Sequence, residues 1–582
     1  MSPDHRSPRG RSAVPTVHGT SPEPIAPARP DEEAGRTGRG RTPSRRVLAR
    51  TALAVVTAVL AGTGLFLLTG GPGEDGGQPP PYAAAPSSVA PAVPSPPAPR
   101  AGAPGTGTPA TPGAVDVRSF GATGDGVTDD APALRRALAE ASDVHVPAGT
   151  YLLGSYATPR DDVVGADFVF QLRDGQTVTA DPGAVLVMAD GVMAASSAEW
   201  GGNVFLGDSV TDVRLSGLTI DLNGAGNLVP AGRTITGYGL YLYGAQDVTV
   251  DGVTMRDTPG QNYVVDQGGG SRIAVRDSTF LNGGTSVPGN SHQDDFSALY
   301  FTSSDVSVER IVVDHDQQPA GFSGGVELHG PREAVTGSVV SDSWPAVYIG
   351  PDAASDLQLQ DQVTVSGNRF LDCGRGVVFN ALGTGDIEGV DITGNEFRMA
   401  SFAAFGGEPT RAVDQDMPPD GNWTYHHLIT GLTVRGNTVT GDGGWSDAVV
   451  RLSQVHGATI TGNRFDGVVG SALVLYSSPW ATTDVVFSGN DVTWRPSRGA
   501  PLVALSFDGS STQPQRPAFD ARAVTVADNR VRVTGDGTGS CGVYAEWPEA
   551  AEVQDVEVRG NDLPGVGQRT CGPQAGELAG GS

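Results

Sequence analysis

The chain has 582 residues, a formal net charge of −27 and 82 glycines. A balance that acidic repels phosphate backbones, so a nucleic-acid partner is not expected. The sequence contains no lysine at all, which removes lysine from any catalytic role.

Residues 1–50 carry ten Arg against five acidic residues, are rich in Pro, Gly and Ser, and show no apolar periodicity. They read as a disordered basic tail, and their +5 leaves −32 on the other 532 residues. Thr51 to Thr69 is a 19-residue run without charge, close to the ~20 residues that cross a bilayer as a helix. Arg45, Arg46 and Arg50 flank its start, which puts the tail in the cytoplasm and the rest outside. Ser44-Arg45-Arg46 partly matches a twin-arginine export signal, and Ala83-Ala84-Ala85 offers a cleavage site. Two expectations therefore stand for 51–69: a retained single-pass membrane anchor, or a cleaved signal and a secreted protein. Residues 70–114 are a Pro/Ala-rich linker. The remainder, 115–582, is too long for one ordinary core, whereas a repeat architecture packs each unit only on its neighbours.

The first globular stretch, Val115 to Asp130, is followed by a helical pattern, APALRRALAEA, and then by Val144-His145-Val146-Pro147-Ala148-Gly149-Thr150-Tyr151. Asp129 or Asp130 is placed to cap the helix, and Asp125 belongs to the turn before it. FGATGDGVTDDAPALRRAL with VHVPAGTYLL closely resembles the N-terminal signature of the pectate-lyase-like superfamily, which includes rhamnogalacturonase and epimerase-like proteins and many phage tailspikes. That resemblance implies an all-β fold, a right-handed parallel β-helix opened by a capping helix. It leaves the reaction open, because hydrolases, lyases, epimerases and non-catalytic adhesins share the signature.

The rest of the chain repeats. VTVSGNRF at Asn368 recurs around Asn395, Asn437, Asn463, Asn490, Asn529 and Asn561. Degenerate copies precede it at Leu218, Val253, Ser278, Ile311 and Ser338, and successive anchors lie 25 to 42 residues apart. One coil per repeat with added loops is the expectation, with the Asn residues stacked as a hydrogen-bonded ladder. A second strand recurs as GLYLY (239–243), NYVVD (262–266), ALYFT (298–302), GVELH (325–329), AVYIG (346–350), GVVFN (376–380), VVRLS (449–453), LVLYS (473–477) and GVYAE (542–546). If the second and fourth residues of each point inward, the third and fifth point outward and build one surface across the stack.

That surface supplies the candidate site. Asp266, Glu327 and His329 are expected catalytic residues, joined by Asp294 and Asp295 from the loop that enters the Tyr300 strand. Tyr243, His292, Tyr300, Tyr348, Asn380 and Arg451 are expected to bind substrate. An insertion at about 405–427, carrying Asp414, Asp416, His426 and His427, is expected to wall one side; a metal pair at His426 and His427 is the lesser reading. Two carboxyls flanking a sugar bond make a glycoside hydrolase. Asp266 and Glu327 would lie two coils apart, about 10 Å, which suits inversion. The match to pectin-degrading hydrolases is partial: Asp294-Asp295 and His329-Gly330 have counterparts, while the Asn-Thr-Asp and Arg-x-Lys motifs are missing. A uronate lyase or epimerase, which would use Ca²⁺ to bridge acidic protein and acidic polymer, is the first alternative. A non-catalytic carbohydrate-binding surface protein is the other. The hydrolase needs no cofactor, and a polysaccharide is the expected partner. Cys541 and Cys571 are expected to pair in an exported chain, and Cys373 to be a buried thiol.

Overall fold

A computed structural model describes residues 113–580, apart from 158–166, 194–195, 197–201, 229–236, 291–295, 316–322, 352–358, 381–384, 401–409, 417–426, 442–447, 477–480, 497–499, 507–520 and 548–551. The expected tail, the apolar run at 51–69 and nearly all of the linker lie outside the described residues. Among the described residues no helix is long and apolar enough to cross a membrane.

Asp130 organises the entry to the fold. Its carboxylate accepts from the backbone N–H of Thr123 (2.7 Å) and Gly124 (3.0 Å), pinning the FGATGDG turn. Asp129 accepts from the N–H of Ala131 at 3.1 Å and of Gly154 at 2.9 Å, tying the first turn of the Ala131–Glu140 helix to the strand Gly149–Leu153. Leu134, Ala137 and Leu138 are buried on the face of that helix that joins the core. These acids are structural, as turn and capping chemistry predicted.

After the helix the chain winds through three parallel sheets of 16, 14 and 14 strands among the described residues, each strand pairing with its equivalents one coil before and one coil after. The product is a right-handed parallel β-helix. Alternation explains the packing, since every second residue of a strand faces the interior. In the third sheet one inward column runs in register from Leu240 through Val264, Leu299 and Val326 to Val347, all essentially buried. In the second sheet Phe370 and Phe397 stack in register with ring centroids 5.0 Å apart.

The Gly-Asn motif is the corner between the first and second sheets. Leu359–Ser366 lies in the first, Arg369–Cys373 in the second, and Asn368 is buried between them. The backbone N–H and the Nδ2 of Asn368 both donate to Oδ1 of Asn395, at 2.9 and 3.1 Å. The second Nδ2 proton goes to the carbonyl of Val335 at 2.8 Å. The pattern repeats from Asn395 to Asn437, Asn463, Asn490, Asn529 and Asn561. The residue before each rung sits in the left-handed region: Gly367 at φ 64°, and Asp528 at φ 56° where the motif lacks glycine. Where Asn is replaced, Ser338 and Ser278 hydroxyls accept from the N–H of Ile311 and Val253. The Asn ladder is scaffold.

Cys541 and Cys571 form a disulfide between the last strands of the third sheet, and Cys373 is a buried free thiol whose pKa burial pushes up to about 12.

Candidate functional site

The site follows from the register of the third sheet. Its outward column runs Leu206, Tyr241, Val265, Tyr300, Glu327, Tyr348, Val378, Asp414, Arg451 and Val474. The expected column differs from it in two coils: in LVLYS Val474 is outward and Leu475 buried, and in NYVVD the faces are likewise exchanged. Val265, not Val264 or Asp266, is the outward residue, while Asp266 pairs with Leu242 on the inward side and is wholly buried. Asp266 therefore cannot flank a sugar in the groove. NYVVD carries three consecutive apolar residues, so alternation alone did not define its faces.

The N-terminal part of the outward column is apolar. Phe168, Leu206, Tyr238, Tyr241, Val265 and Tyr300 form a second cluster, separate from the interior core, with Tyr243 packed partly buried against it. Tyr241 is 3% exposed and Tyr300 7%. Tyr300, expected to bind substrate, has most of its ring covered by packing neighbours. Tyr243 and Tyr348 remain half-buried and retain accessible faces.

Polar chemistry begins at Glu327. Its Oε1 accepts from the Ser297 hydroxyl on the adjacent strand Phe296–Phe301. Its Oε2 lies 3.1 Å from His329 Nε2. His329 is buried, packed against the Tyr300 ring (centroids 4.7 Å) and the edge of Tyr348 (6.3 Å), with Nδ1 2.6 Å from the Gly350 carbonyl. A carbonyl only accepts, so Nδ1 carries a proton. Nε2 and Glu327 Oε2 are then two acceptors face to face unless a proton lies between them. The dyad holds that proton, either on the imidazole or on the carboxyl. With 20% of its side chain exposed against 5% for His329, Glu327 is the more exposed member.

Three coils further along, Asp414 is surrounded by arginines. Its carboxylate meets Arg375 at 2.7 Å, Arg451 at 2.7 Å and Arg411 at 3.0 Å, and Arg375 also pairs with Asp416 at 2.6 Å. These guanidinium groups hold the Asp414 carboxyl below the usual carboxylate range despite complete burial. Arg375 lies over the Trp344 ring (5.4 Å) and Arg451 over Tyr476 (5.5 Å). The expected wall at 405–427 is accordingly corrected: Arg411–Gln415 is a full strand of the third sheet, and Asp414 is an enclosed counter-ion. Arg451, expected to contact substrate, is engaged by Asp414. Asn380 is 4% exposed and its side chain lies against Gly350, so it acts behind the surface.

His292, Asp294, Asp295 and His426 lie outside the described residues. His427 is buried with Nδ1 on the Gly385 carbonyl. Among the described residues no group of three or more His, Cys, Asp or Glu is arranged to hold a metal. Ser297, Trp344, Arg375 and Arg411 were not anticipated from sequence. Arg375 stands one residue before a recognised strand, and that position was the available signal.

The strand pairing defines the class, a right-handed parallel β-helix. Residues 114–314 match the family model described as rhamnogalacturonase A/epimerase, pectate lyase-like. Among solved structures, the chain is similar to two variants of the tailspike protein of E. coli bacteriophage HK620 in complex with a pentasaccharide. One is 17% identical with a TM-score of 0.59, covering 77% of this chain and 76% of that one. The other is 16% identical with a TM-score of 0.56, covering 76% and 78%. The chain is also 27% identical over 180 residues to "Plasmin and fibronectin-binding protein A" of Streptococcus pneumoniae (strain ATCC BAA-255 / R6). That match spans 29% of this chain and 24% of the relative.

Proposed function

We propose that the chain is an extracytoplasmic polysaccharide-processing protein, a glycoside hydrolase in which Glu327 is the acid. The observation that carries this reading is the Glu327–His329 pair, which keeps one proton beside a groove flanked by Tyr348. Glu327 delivers that proton to the glycosidic oxygen as the bond breaks, and His329 stabilises the carboxylate that remains. Ser297 fixes the rotamer through Oε1. The second carboxyl comes from Asp294 or Asp295. Asp295 directly precedes in sequence the strand that carries Ser297, which is the ground for giving this segment the base role. The pairing of Glu327 with Asp266 is abandoned, because Asp266 faces inward.

The apolar run at 51–69 and the linker after it support the reading that the domain lies outside the membrane, either anchored or released. The partner is a polysaccharide. No cofactor enters the hydrolytic step.

A second reading, a non-catalytic carbohydrate-binding or adhesive surface protein, is favoured by the match to a streptococcal protein named for binding. A lyase or epimerase is weaker, because Arg451 is neutralised by Asp414 and is a poor base or carboxylate clamp. One screen separates the three. Purified full-length chain is incubated with a panel of neutral and acidic polysaccharides. New reducing ends that absorb only as saturated sugars are expected, and Glu327→Gln abolishes them. Unsaturated uronate products would establish the lyase, and saturable binding without products the adhesin.

A further inference from the structure

The carbonyl that meets the His329 ring belongs to a different coil. His329 directly follows the strand Ser323–Leu328, and Gly350 directly follows Val347–Ile349 in the next coil. The two strand ends are joined twice. The Gly350 N–H donates to the Leu328 carbonyl at 3.2 Å, and the Gly350 carbonyl accepts from His329 Nδ1 at 2.6 Å. Pro351 follows Gly350, and a residue before proline is kept out of the helical region, so the peptide stays extended. The coil after that packs onto it. Asn380 donates its backbone N–H to the Ile349 carbonyl at 2.8 Å. A Cβ at Gly350 would stand 2.8 Å from Asn380 Cβ, 3.1 Å from its Cγ and 3.2 Å from its Nδ2. Glycine is required here by the Asn380 side chain. Both residues are buried.

This carbonyl restricts the protonation states open to the Glu327–His329 pair. Loss of the shared proton leaves a carboxylate at Glu327 and a neutral imidazole with one ring proton. If that proton stays on Nδ1, the Nε2 lone pair faces Glu327 Oε2. If it moves to Nε2, the Nδ1 lone pair faces the Gly350 carbonyl. Either state sets two acceptors against each other in a buried place, which is costly. The shared proton relieves both clashes, so the carbonyl holds that proton to higher pH. Among the described residues, the other titratable groups around the ring are Tyr300 from the preceding coil and Tyr348 from the following one. Glu333 lies beyond the turn, with its Oε2 on the Gly330 N–H. Asp266 is two coils back on the Ser303 N–H, and Arg375 acts on Tyr348 from the coil after it. None of these groups is changed by the substitutions below.

We propose that Gly350 is a positioning residue for the Glu327–His329 pair: backed by Asn380, its carbonyl fixes the Nδ1–H tautomer of His329 and keeps the shared proton on the pair. The inference rests on the reading of Glu327 as the acid only where turnover is measured.

The test follows the His329 ring by nitrogen NMR across pH, in the full-length chain with isotope-labelled histidine. The His329 signals, among nine histidines, are those lost in His329→Gln. In the wild type, Nδ1 is protonated on both sides of the midpoint at which the pair loses its proton. In Gly350→Ala the methyl group meets Asn380 and the carbonyl is pushed away, so that midpoint falls by about one pH unit. Combining Gly350→Ala with Asn380→Gly removes the obstructing atoms and returns the midpoint to the wild-type value. The alkaline limb of the turnover profile moves in step. Three results overturn the proposal: a wild-type ring protonated at Nε2 alone at neutral pH, a Gly350→Ala midpoint equal to that of the wild type, or a folded double variant whose midpoint differs from it. If Gly350→Ala does not fold, the wild-type ring and the double variant decide. A chain without turnover that still shows the shifted and restored midpoint would end the hydrolase reading and leave the positioning role standing; turnover with an unmoved midpoint would do the reverse.

Discussion

His329 Nε2 sits 3.1 Å from Glu327 Oε2 while its other ring nitrogen is committed to the Gly350 carbonyl. One imidazole thus links the coil that carries the candidate acid to the turn of the next coil. The two residues are only two apart in sequence, and the strand ends between them, so the ring can fold back over the Glu327 side chain. Replacing Glu327 by Gln keeps the shape and removes the transferable proton. Turnover is expected to fall by about 10²–10⁴-fold, with oligosaccharide binding by calorimetry nearly unchanged. His329→Ala leaves Glu327 in place without its proton partner, so residual turnover should follow a shifted pH profile. A profile that superimposes on the wild type would remove His329 from the mechanism.

Asn437 makes a different kind of contact. Its Oδ1 accepts twice from Asn395, and its Nδ2 donates to Asn463 and to the Ile392 carbonyl. Asn437→Ala leaves buried donors and an acceptor unmet in two neighbouring coils, at a cost of about 3 kcal/mol. Urea unfolding followed by circular dichroism would show a lower midpoint. Specific activity of the folded fraction should equal that of the wild type, and a loss there would mean that the ladder also shapes the groove.

Asp266 makes stability depend on pH. Its carboxyl titrates at about 7 in the folded chain, against the usual 3.8 when exposed. Between these values the folded state holds a proton that the unfolded state has released. Stability therefore falls as pH rises from about 4 to 7 and levels off above that. The full loss is on the order of 4 kcal/mol, and Asp266→Asn should flatten the curve. Thermal melts at pH 4.5 and 7.5 read the difference directly; equal slopes in wild type and variant would show that Asp266 is solvated in solution.

Asp414 is the shared anion of three arginines. Asp414→Ala would remove the carboxylate that Arg375, Arg411 and Arg451 share. Destabilisation by about 3–5 kcal/mol is expected, because the remaining buried charges lose their partner. Added sulfate should restore part of the loss by replacing the carboxylate, and a melting midpoint indifferent to the substitution would show the cluster to be solvated.

Much of the architecture was legible in the sequence. Apolar alternation, the left-handed residue before each Asn, and a recurrence near 27 residues all report one coil with one sharp corner. GVELH carries its polar residues Glu327 and His329 at alternate positions, so Glu327 was placed on the correct face. In NYVVD the polar Asn262 and Asp266 share one phase, which reads as outward, yet both are buried, and that slip of one residue turns a buried acid into an apparent groove residue. RAVDQ failed for the opposite reason. Only Val413 and Ala412 are apolar, and charges that elsewhere mark a loop are here satisfied by arginines contributed from neighbouring coils. Such satisfaction is a tertiary fact, invisible to any window along the chain. Burial of Tyr241 and Tyr300 is likewise set by what packs over them rather than by their strands.

The asparagine ladder has a direction. From Asn368 to Asn529 each rung donates its backbone N–H and one Nδ2 proton to the next Asn, returns the other Nδ2 proton to a carbonyl of the preceding coil, and receives at Oδ1 from the N-terminal side, so the Asn-to-Asn bonds all run one way along the solenoid axis. Each rung is chemically identical to the next, and none depends on its position in the stack. A coil could be duplicated or deleted between two rungs without creating a mismatched joint. The length of the protein is thereby free to vary in evolution, while the distance from Glu327 to its own neighbours stays fixed.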